Sequence, residues 1–321
     1  MANDSTDREP LRVVFMGTPE FAVPALDALL GMGCNVAGVY TQPDRRSGRG
    51  RRLTAPPVKV AAVERGLPVF QPTSLRRDGG ARQQLASLQP DLIMVVAYGL
   101  FLPAETLEVP PLGALNIHPS LLPRHRGPSP VATAILEGDA ITGVTIMQLD
   151  EGMDSGPVIA QVENVIGAEE TTADLTSRLF DMGAQLLKET IPGWRDGEIE
   201  AQAQDESEAM VTRLLKREDG IIDWTFPASY IARQVRAFHP WPGSFTHWNG
   251  KQLKVHKAGV LNLDASNEPG TVIETPQGIA VASGDGALLL HRVQVEGRQA
   301  ADIPDFARGY RDFVGSHLGT S

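Results

Sequence analysis

The chain has one cysteine in 321 residues, Cys34. A disulfide framework or a cysteine-built metal cluster is therefore excluded. Cys34 stands at the start of an apolar run and reads as an inert core thiol. No apolar run is long enough to span a bilayer. The opening M-A-N-D-S-T-D-R-E-P lacks both the apolar core of a signal peptide and the acid-poor, Arg-rich make-up of a transit peptide. A cytoplasmic protein without membrane contact is expected. Internal repeats and low-complexity tracts are also missing. Basic residues are in deficit, and a net charge of −10 argues against a general nucleic-acid binder.

What is present suggests two domains, each large enough to bury a core. An apolar strand at 11–16, a turn at Gly17-Thr18-Pro19, a helix over about 21–30 and a strand at 34–40 form a β-turn-α-β opening. After Gly17 come Thr18, Pro19, Glu20 and Phe21, where a dinucleotide fingerprint needs two further glycines. NAD binding is not expected. A helix over 58–65 stops at Gly66 and Pro68. Residues 92–97, L-I-M-V-V-A, form a strand covered on both faces.

Residues 41–59 carry five arginines, Arg45, Arg46, Arg49, Arg51 and Arg52, with three prolines and two glycines and no apolar period. A long exposed loop is expected here. It is either an anion-binding surface or a solvated charged segment. Tyr98-Gly99-Leu100-Phe101-Leu102-Pro103 follows the central strand as an apolar loop. It can wall a pocket for a flat heterocycle or belong to the core.

The most informative stretch is 115–127, L-N-I-H-P-S-L-L-P-R-H-R-G. A strand over 113–117 ends at Pro119. Asn116 and His118 lie two apart, so they project to one face near the strand's carboxyl end. Ligands of open α/β sheets bind at that end. An amide and an imidazole there can stabilise an oxyanion and manage a proton, although a lone strand-end histidine is more often structural. A helix over 130–136 and a strand over 143–149 follow. Asp150 and Asp154 lie in the next turn, which a compact sheet can fold over His118, and a strand returns over 158–165. Thr171 and Asp174 resemble a capping box for a helix ending at Ile191-Pro192-Gly193.

Residues 195–208 turn polar and acidic, and the linker is placed there, giving domains 1–205 and 206–321. Beyond a helix at 229–237 and the stiff corner His239-Pro240-Trp241-Pro242-Gly243, short strands alternate with turns. Asn249-Gly250 is the strongest hairpin signal, and 275–278 and 283–286 are two further turns. About five strands at this spacing suggest a small barrel. Lys251, Lys254, His256 and Lys257 form a second cationic patch, by default a solvated edge.

Several motifs in order now carry a family resemblance: F-M-G-T-P-E-F, T-Q-P-D-R-R-S-G-R-G, V-V-A-Y-G-L-F-L-P, N-I-H-P-S-L-L-P-R-H-R-G, G-V-T-I-M-Q-L-D-E-G-M-D-S-G and R-A-F-H-P-W-P-G. Over 11–293 at least, the chain resembles the folate-dependent formyltransferases, and among them those that formylate the methionine of initiator tRNA. The resemblance implies an α/β fold, a doubly wound and mostly parallel sheet of Rossmann-like type, with a C-terminal OB-like barrel that holds tRNA. It implies 10-formyltetrahydrofolate as co-substrate, initiator methionyl-tRNA as partner, no metal, and a catalytic trio of Asn116, His118 and Asp154. It implies a folate pocket near Tyr98, Gly99, Leu100, Phe101, Ser120, Leu121, Leu122 and Pro123. It makes Arg45, Arg46, Arg49, Arg51 and Arg52 the loop that meets the tRNA acceptor end, with Lys251 and Lys254 on the barrel. Pro119 departs from the glycine of many relatives, which implies a stiffer turn with the same chemistry. A monomer is expected. Competing readings are formyl transfer to a nucleotide sugar, formyl-folate hydrolysis, and a non-catalytic RNA-binding module. The basic loop distinguishes the first two, and turnover the third.

Overall fold

The computed structural model describes residues 9–47, 52–263 and 267–319. The chain forms two compact units. One comprises Met1–Gly127, Thr142–Asn164 and Thr176–Val211; the other comprises Pro128–Ile141, Val165–Leu175 and Thr212–Ser321.

The first unit is built on β1 (Arg12–Gly17), β2 (Asn35–Tyr40), the short pair β3 (Arg45–Ser47) and β4 (Arg52–Thr54), β5 (Val69–Phe70), β6 (Leu92–Val96), β7 (Ala114–His118), β8 (Ile141–Gln148) and β9 (Val158–Val165). Its helices are α1 (Val23–Gly31), α2 (Pro57–Glu64), α3 (Gly79–Ser87) and α4 (Ala104–Leu107). Seven strands form one sheet in the order β5-β2-β1-β6-β7-β8-β9. Pairing is parallel from β5 to β7 and antiparallel at β7–β8. The expected doubly wound, mostly parallel sheet is thus present.

Both faces of this sheet are buried, as the continuous apolar runs require. Val13, Phe15, Leu115 and Ile117 enter one core cluster, and Val14, Met16, Ile93 and Ala114 enter another. The period of two therefore sends Asn116 and His118 to the Ala114 face, opposite Leu115 and Ile117.

Two expectations are corrected. The segment 41–59 is not a plain loop: β3 and β4 pair antiparallel, with Arg45 opposite Thr54 and Arg46 opposite Leu53. Lys59 Nζ, 2.8 Å from both oxygens of Asp44, ties off its base, and α2 begins at Pro57, a position where proline's missing N–H costs nothing. Backbone pairing here needs no apolar alternation, so the sequence carried no strand signal. The second correction concerns α6 (Thr172–Arg195), following α5 (Pro130–Glu137): it runs through Pro192 rather than ending at Ile191. Proline removes one hydrogen bond from a last turn. Ile191 is buried and Trp194 Nε1 donates to Leu112 O at 3.0 Å, which holds that turn in place. At its start the expected capping box forms, with Thr171 N donating to Asp174 Oδ2 at 3.1 Å and Asp174 N donating to Thr171 Oγ1 at 3.4 Å.

In the second unit, β10 (Ser244–Trp248), β11 (Lys251–Leu261), β12 (Val272–Thr275), β13 (Gly278–Ala282), β14 (Ala287–Val295) and β15 (Ala301–Asp302) form an antiparallel sheet. The expected small barrel is, among the described residues, this six-stranded sheet, covered by α7 (Ala228–Ala237) and α8 (Ile303–Gly309). Asn249 and Gly250 make the predicted hairpin turn, at φ 48° and 70°.

The face of β7 opposite the site depends on Gly183 of α6. A Cβ there would lie 2.5 Å from Ile117 Cγ2 and 3.2 Å from Val144 Cγ2. Overpacking costs about 1–3 kcal/mol, whereas alanine gains about 1 kcal/mol over glycine in a helix. Gly183→Ala is expected to lower the unfolding free energy by about 1 kcal/mol, and an equal or higher stability in denaturant titration would contradict this packing.

Candidate active site

Four strand ends, those of β1, β2, β6 and β7, open to the same edge of the parallel sheet, and the polar groups there are interlocked. Thr18 Oγ1 donates to Tyr98 O at 2.8 Å. Gln42 Nε2 donates to Tyr98 O and Gly99 O, both at 3.1 Å. Gln71 Nε2 donates to Gln42 O and Asp44 Oδ1, both at 2.8 Å. The base of the arginine hairpin is thereby tied to the loop after β6. Thr18 and Gln42 fall within motifs quoted above, but their bonding, like that of Gln71, carried no sequence signal, because the partners lie 24 to 80 residues away.

In that loop Tyr98 is buried and belongs to the core, with burial raising the pKa of its hydroxyl. Leu102 is buried as well, while Gly99 is exposed and Phe101 is 57% exposed, with the Arg76 guanidinium 5.8 Å from its ring centre. The alternatives of core and pocket wall are thus divided between residues: Tyr98 is core, and Phe101 with half-buried Leu100 offers a surface.

The turn after β7 is held from within. Ser120 Oγ donates to Arg124 O at 2.7 Å. Thr145 Oγ1 donates to Ser120 O at 2.6 Å and accepts from Leu122 N at 3.2 Å and from Gln161 Nε2 at 2.9 Å. Ser120 and Leu122 are buried; Leu121 and Pro123 are half-buried. His125, at φ 58°, turns its carbonyl back to His118, whose Nε2 lies 3.0 Å away.

The 149–157 loop starts beside Ala114, since Leu149 N donates to Ala114 O at 2.7 Å. It folds back along β7 and brings Asp154 Oδ2 to 3.6 Å from His118 Nδ1. The same oxygen accepts from Gly127 N at 2.8 Å. Asp150 is exposed and accepts from Gly152 N and Ser155 Oγ at 3.0 Å, an ordinary turn former. His118 and Asp154 are therefore brought together, with Asn116 two residues earlier on the same strand face.

The electrostatics oppose one another at His118. Burial lowers its pKa, and the Asp154 carboxylate pulls it upward, with burial the larger influence. A carbonyl oxygen only accepts, so Nε2 carries the hydrogen in the neutral ring and the Nδ1 lone pair faces Asp154. The pair is arranged to receive a proton.

Of the arginines, Arg45, Arg46 and Arg52 are exposed on the hairpin, whereas Arg49 and Arg51 lie outside the described residues. In the second unit Lys251 is exposed and Lys254 half-buried on β11, with Lys254 opposite Phe245 and Gln294.

His118 at the end of β7 and Asp154 on the loop after β8 thus pair at the carboxyl edge of a mostly parallel sheet. Residues 11–191 match the family model described as formyl transferase, and 214–311 match the formyl transferase C-terminal domain. The chain belongs to the formyl transferase family. Its similarity narrows further: the methionyl-tRNA formyltransferase of Chloroflexus aggregans is 53% identical over 291 residues, 90% of this chain and 94% of that protein. That of Roseiflexus sp. strain RS-1 is 50% identical over 312 residues, 97% and 96% of the two. Among solved structures, the sugar 3N-formyl transferase WlaRD, in the presence of dTDP and 5-N-formyl-THF, matches with a TM-score of 0.67 at 16% identity, covering 91% of this chain and 100% of its own. HypX from Aquifex aeolicus in complex with tetrahydrofolic acid matches at 0.60 and 19%, covering 95% and 48%. At such identities the likeness is one of fold. No described helix is long and apolar enough to cross a membrane.

Removing the carboxylate should leave burial unopposed. In Asp154→Asn the pKa of His118, followed by NMR titration of its ring, is expected to fall below that of the unaltered protein. An unchanged or higher value would show that the two side chains do not interact.

Proposed function

We propose that this protein transfers the formyl group of 10-formyltetrahydrofolate to the α-amino group of methionine esterified to initiator tRNA, and so acts in translation initiation in the cytoplasm. The observation that carries the site assignment is the approach of Asp154 Oδ2 to His118 Nδ1 at 3.6 Å, across 36 residues of chain, with Nε2 already committed to His125 O. Similarity to the named relatives over almost the whole chain carries the choice of acceptor.

In this reading the free amine attacks the formyl carbon. A C–N bond forms to the amino acid, the bond from carbon to N10 of the folate breaks, and one proton passes from the amine to N10. The Asn116 carboxamide donates to the oxygen that gains negative charge, which matters most where water is excluded. His118 takes the amine's surplus proton at Nδ1. Asp154 stabilises the resulting imidazolium and fixes its ring, and the proton then leaves toward N10. Phe101 and Leu100, with Leu121, Leu122 and Pro123, provide the apolar wall for the pterin, and Ser120 and Tyr98 shape it from within. Residues 1–205 would form the catalytic domain and 206–321 the tRNA-holding domain.

The hairpin arginines Arg45, Arg46 and Arg52, with Arg49 and Arg51, meet phosphates at the acceptor end, and Lys251 and Lys254 serve the tRNA from the second domain. A nucleotide-sugar acceptor or water leaves the basic hairpin without a partner. A metal is not part of the proposal, and the protein works as a monomer.

The decisive assay offers purified protein, formyl-folate and methionyl initiator tRNA, with uncharged tRNA as control. Formylation of the charged form alone is expected. His118→Ala and Asp154→Asn should each lower turnover by about 10²–10⁴-fold; near-normal rates in both would remove them from the mechanism. Arg46→Ala should reduce the slope of log affinity for tRNA against log salt by about one unit. It should leave folate affinity unchanged, and a loss of folate affinity instead would relocate the hairpin's role.

A further inference from the structure

The polar, acidic stretch that reads as a linker lies across both loops of the candidate site. At one end Gln202 and Val158 pair through two backbone hydrogen bonds of 2.7 Å. At the other, Met210 N donates to Pro123 O at 3.2 Å and Met210 O accepts from Arg126 N at 2.8 Å. Between these ends the Gln204 side chain spans the two loops. Its Nε2 donates to Asp154 O at 2.9 Å and Gly156 O at 2.6 Å, and its Oε1 accepts from Arg126 Nε at 3.0 Å.

The chemistry admits one orientation of this amide. Two of its partners are carbonyls, which only accept, and the third is a guanidinium, which only donates. Arg126 is itself 5% exposed, and Glu206 accepts from its Nη1 at 3.0 Å and Nη2 at 2.8 Å. The two-toothed pairing fixes the plane of the guanidinium, although the Glu206 carboxylate itself is largely exposed.

The clamped loop is a tight turn. Asp154 sits in the left-handed region at φ 52°, which aspartate adopts more readily than most residues with a Cβ. Gly156 has no room for a Cβ, which would collide with Gln148 O. The neighbours of Arg126 on either side are His125, whose carbonyl holds His118 Nε2, and Gly127, whose N–H holds Asp154 Oδ2.

We infer that Gln204 is a positioning residue for formyl transfer, whose carboxamide locks the Asp154 loop to the Arg126 turn and so keeps the Asp154 carboxylate against His118. It touches no substrate and acts through Asp154. The inference rests on the function proposed above.

The test measures single-turnover formylation of methionyl initiator tRNA by Gln204→Glu and Gln204→Met, each in the unaltered protein and in Asp154→Asn. Glutamate keeps the size and the acceptor for Arg126 but sets a carboxylate oxygen against two carbonyls; methionine removes donor and acceptor together. In the unaltered background each should lower the rate at saturation by about 10–100-fold, the scale of a 1 Å misplacement, with apparent substrate affinities changed by less than about twofold. In Asp154→Asn the same substitutions should cost less than about twofold, because the group they act through is already gone. Unfolding temperatures report whether a variant folds, and Gln204→Glu decides the case if Gln204→Met does not.

Single variants as fast as the unaltered protein would overturn the inference. So would a loss confined to substrate affinity, or an undiminished loss in Asp154→Asn. Failure of the unaltered protein to formylate is a different result, and it would remove the reading on which the inference stands.

Discussion

The His125 carbonyl, 3.0 Å from His118 Nε2, is the constraint on which the site depends. It accepts only, so it assigns the hydrogen of the neutral imidazole to Nε2 and leaves Nδ1 basic. Asp154 then stands 3.6 Å from that basic nitrogen. Two unit charges at this separation attract by about 4–5 kcal/mol at an effective dielectric constant near 20. Burial of an ion costs several kcal/mol. The two are of similar size, and burial has the larger influence on His118. The resting ring is poised to be neutral, with a carboxylate in place to stabilise the proton once it arrives.

The scaffold exists to hold this arrangement on one strand. Leu115 and Ile117 anchor β7 on one face, each worth about 1.5–3 kcal/mol when fully buried. The alternation of a strand then obliges Asn116 and His118 to face the other way. Gly183 lets α6 lie close against the anchoring side. Across the sheet edge, Thr18 and Gln42 fix the loop after β6 to the base of the hairpin, so that the surface offered by Phe101 and the arginines are parts of one hydrogen-bonded framework.

Much of this was legible in the sequence, for reasons that are local. Apolar runs gave the strands of the parallel sheet, and Thr171 with Asp174 gave the start of α6. Asn249-Gly250 gave the hairpin turn of the second unit. The period of two is enough to put Asn116 and His118 on one face, with no long-range contact needed to infer it. Other features left no local trace. The β3–β4 pair is charged on its exposed positions and lacks the apolar alternation by which strands are recognised. The helix past Pro192 is sustained by the burial of Ile191 and the Trp194 bond to Leu112, contacts made 82 residues away in the latter case. Gln204 sits in a stretch that composition describes only as polar, and nothing local to 115–127 points from Arg126 to a partner 78 residues away. A bond between two such side chains is a property of the folded chain alone.

Proton transfer as described turns on which ring nitrogen of His118 holds the hydrogen. This is tested most directly by ¹⁵N NMR of the labelled ring at a pH where His118 is neutral. A protonated Nε2 and an unprotonated Nδ1 are predicted, with the Nδ1 signal disturbed by Asp154→Asn. A hydrogen on Nδ1, with Nε2 bare, would contradict the mechanism.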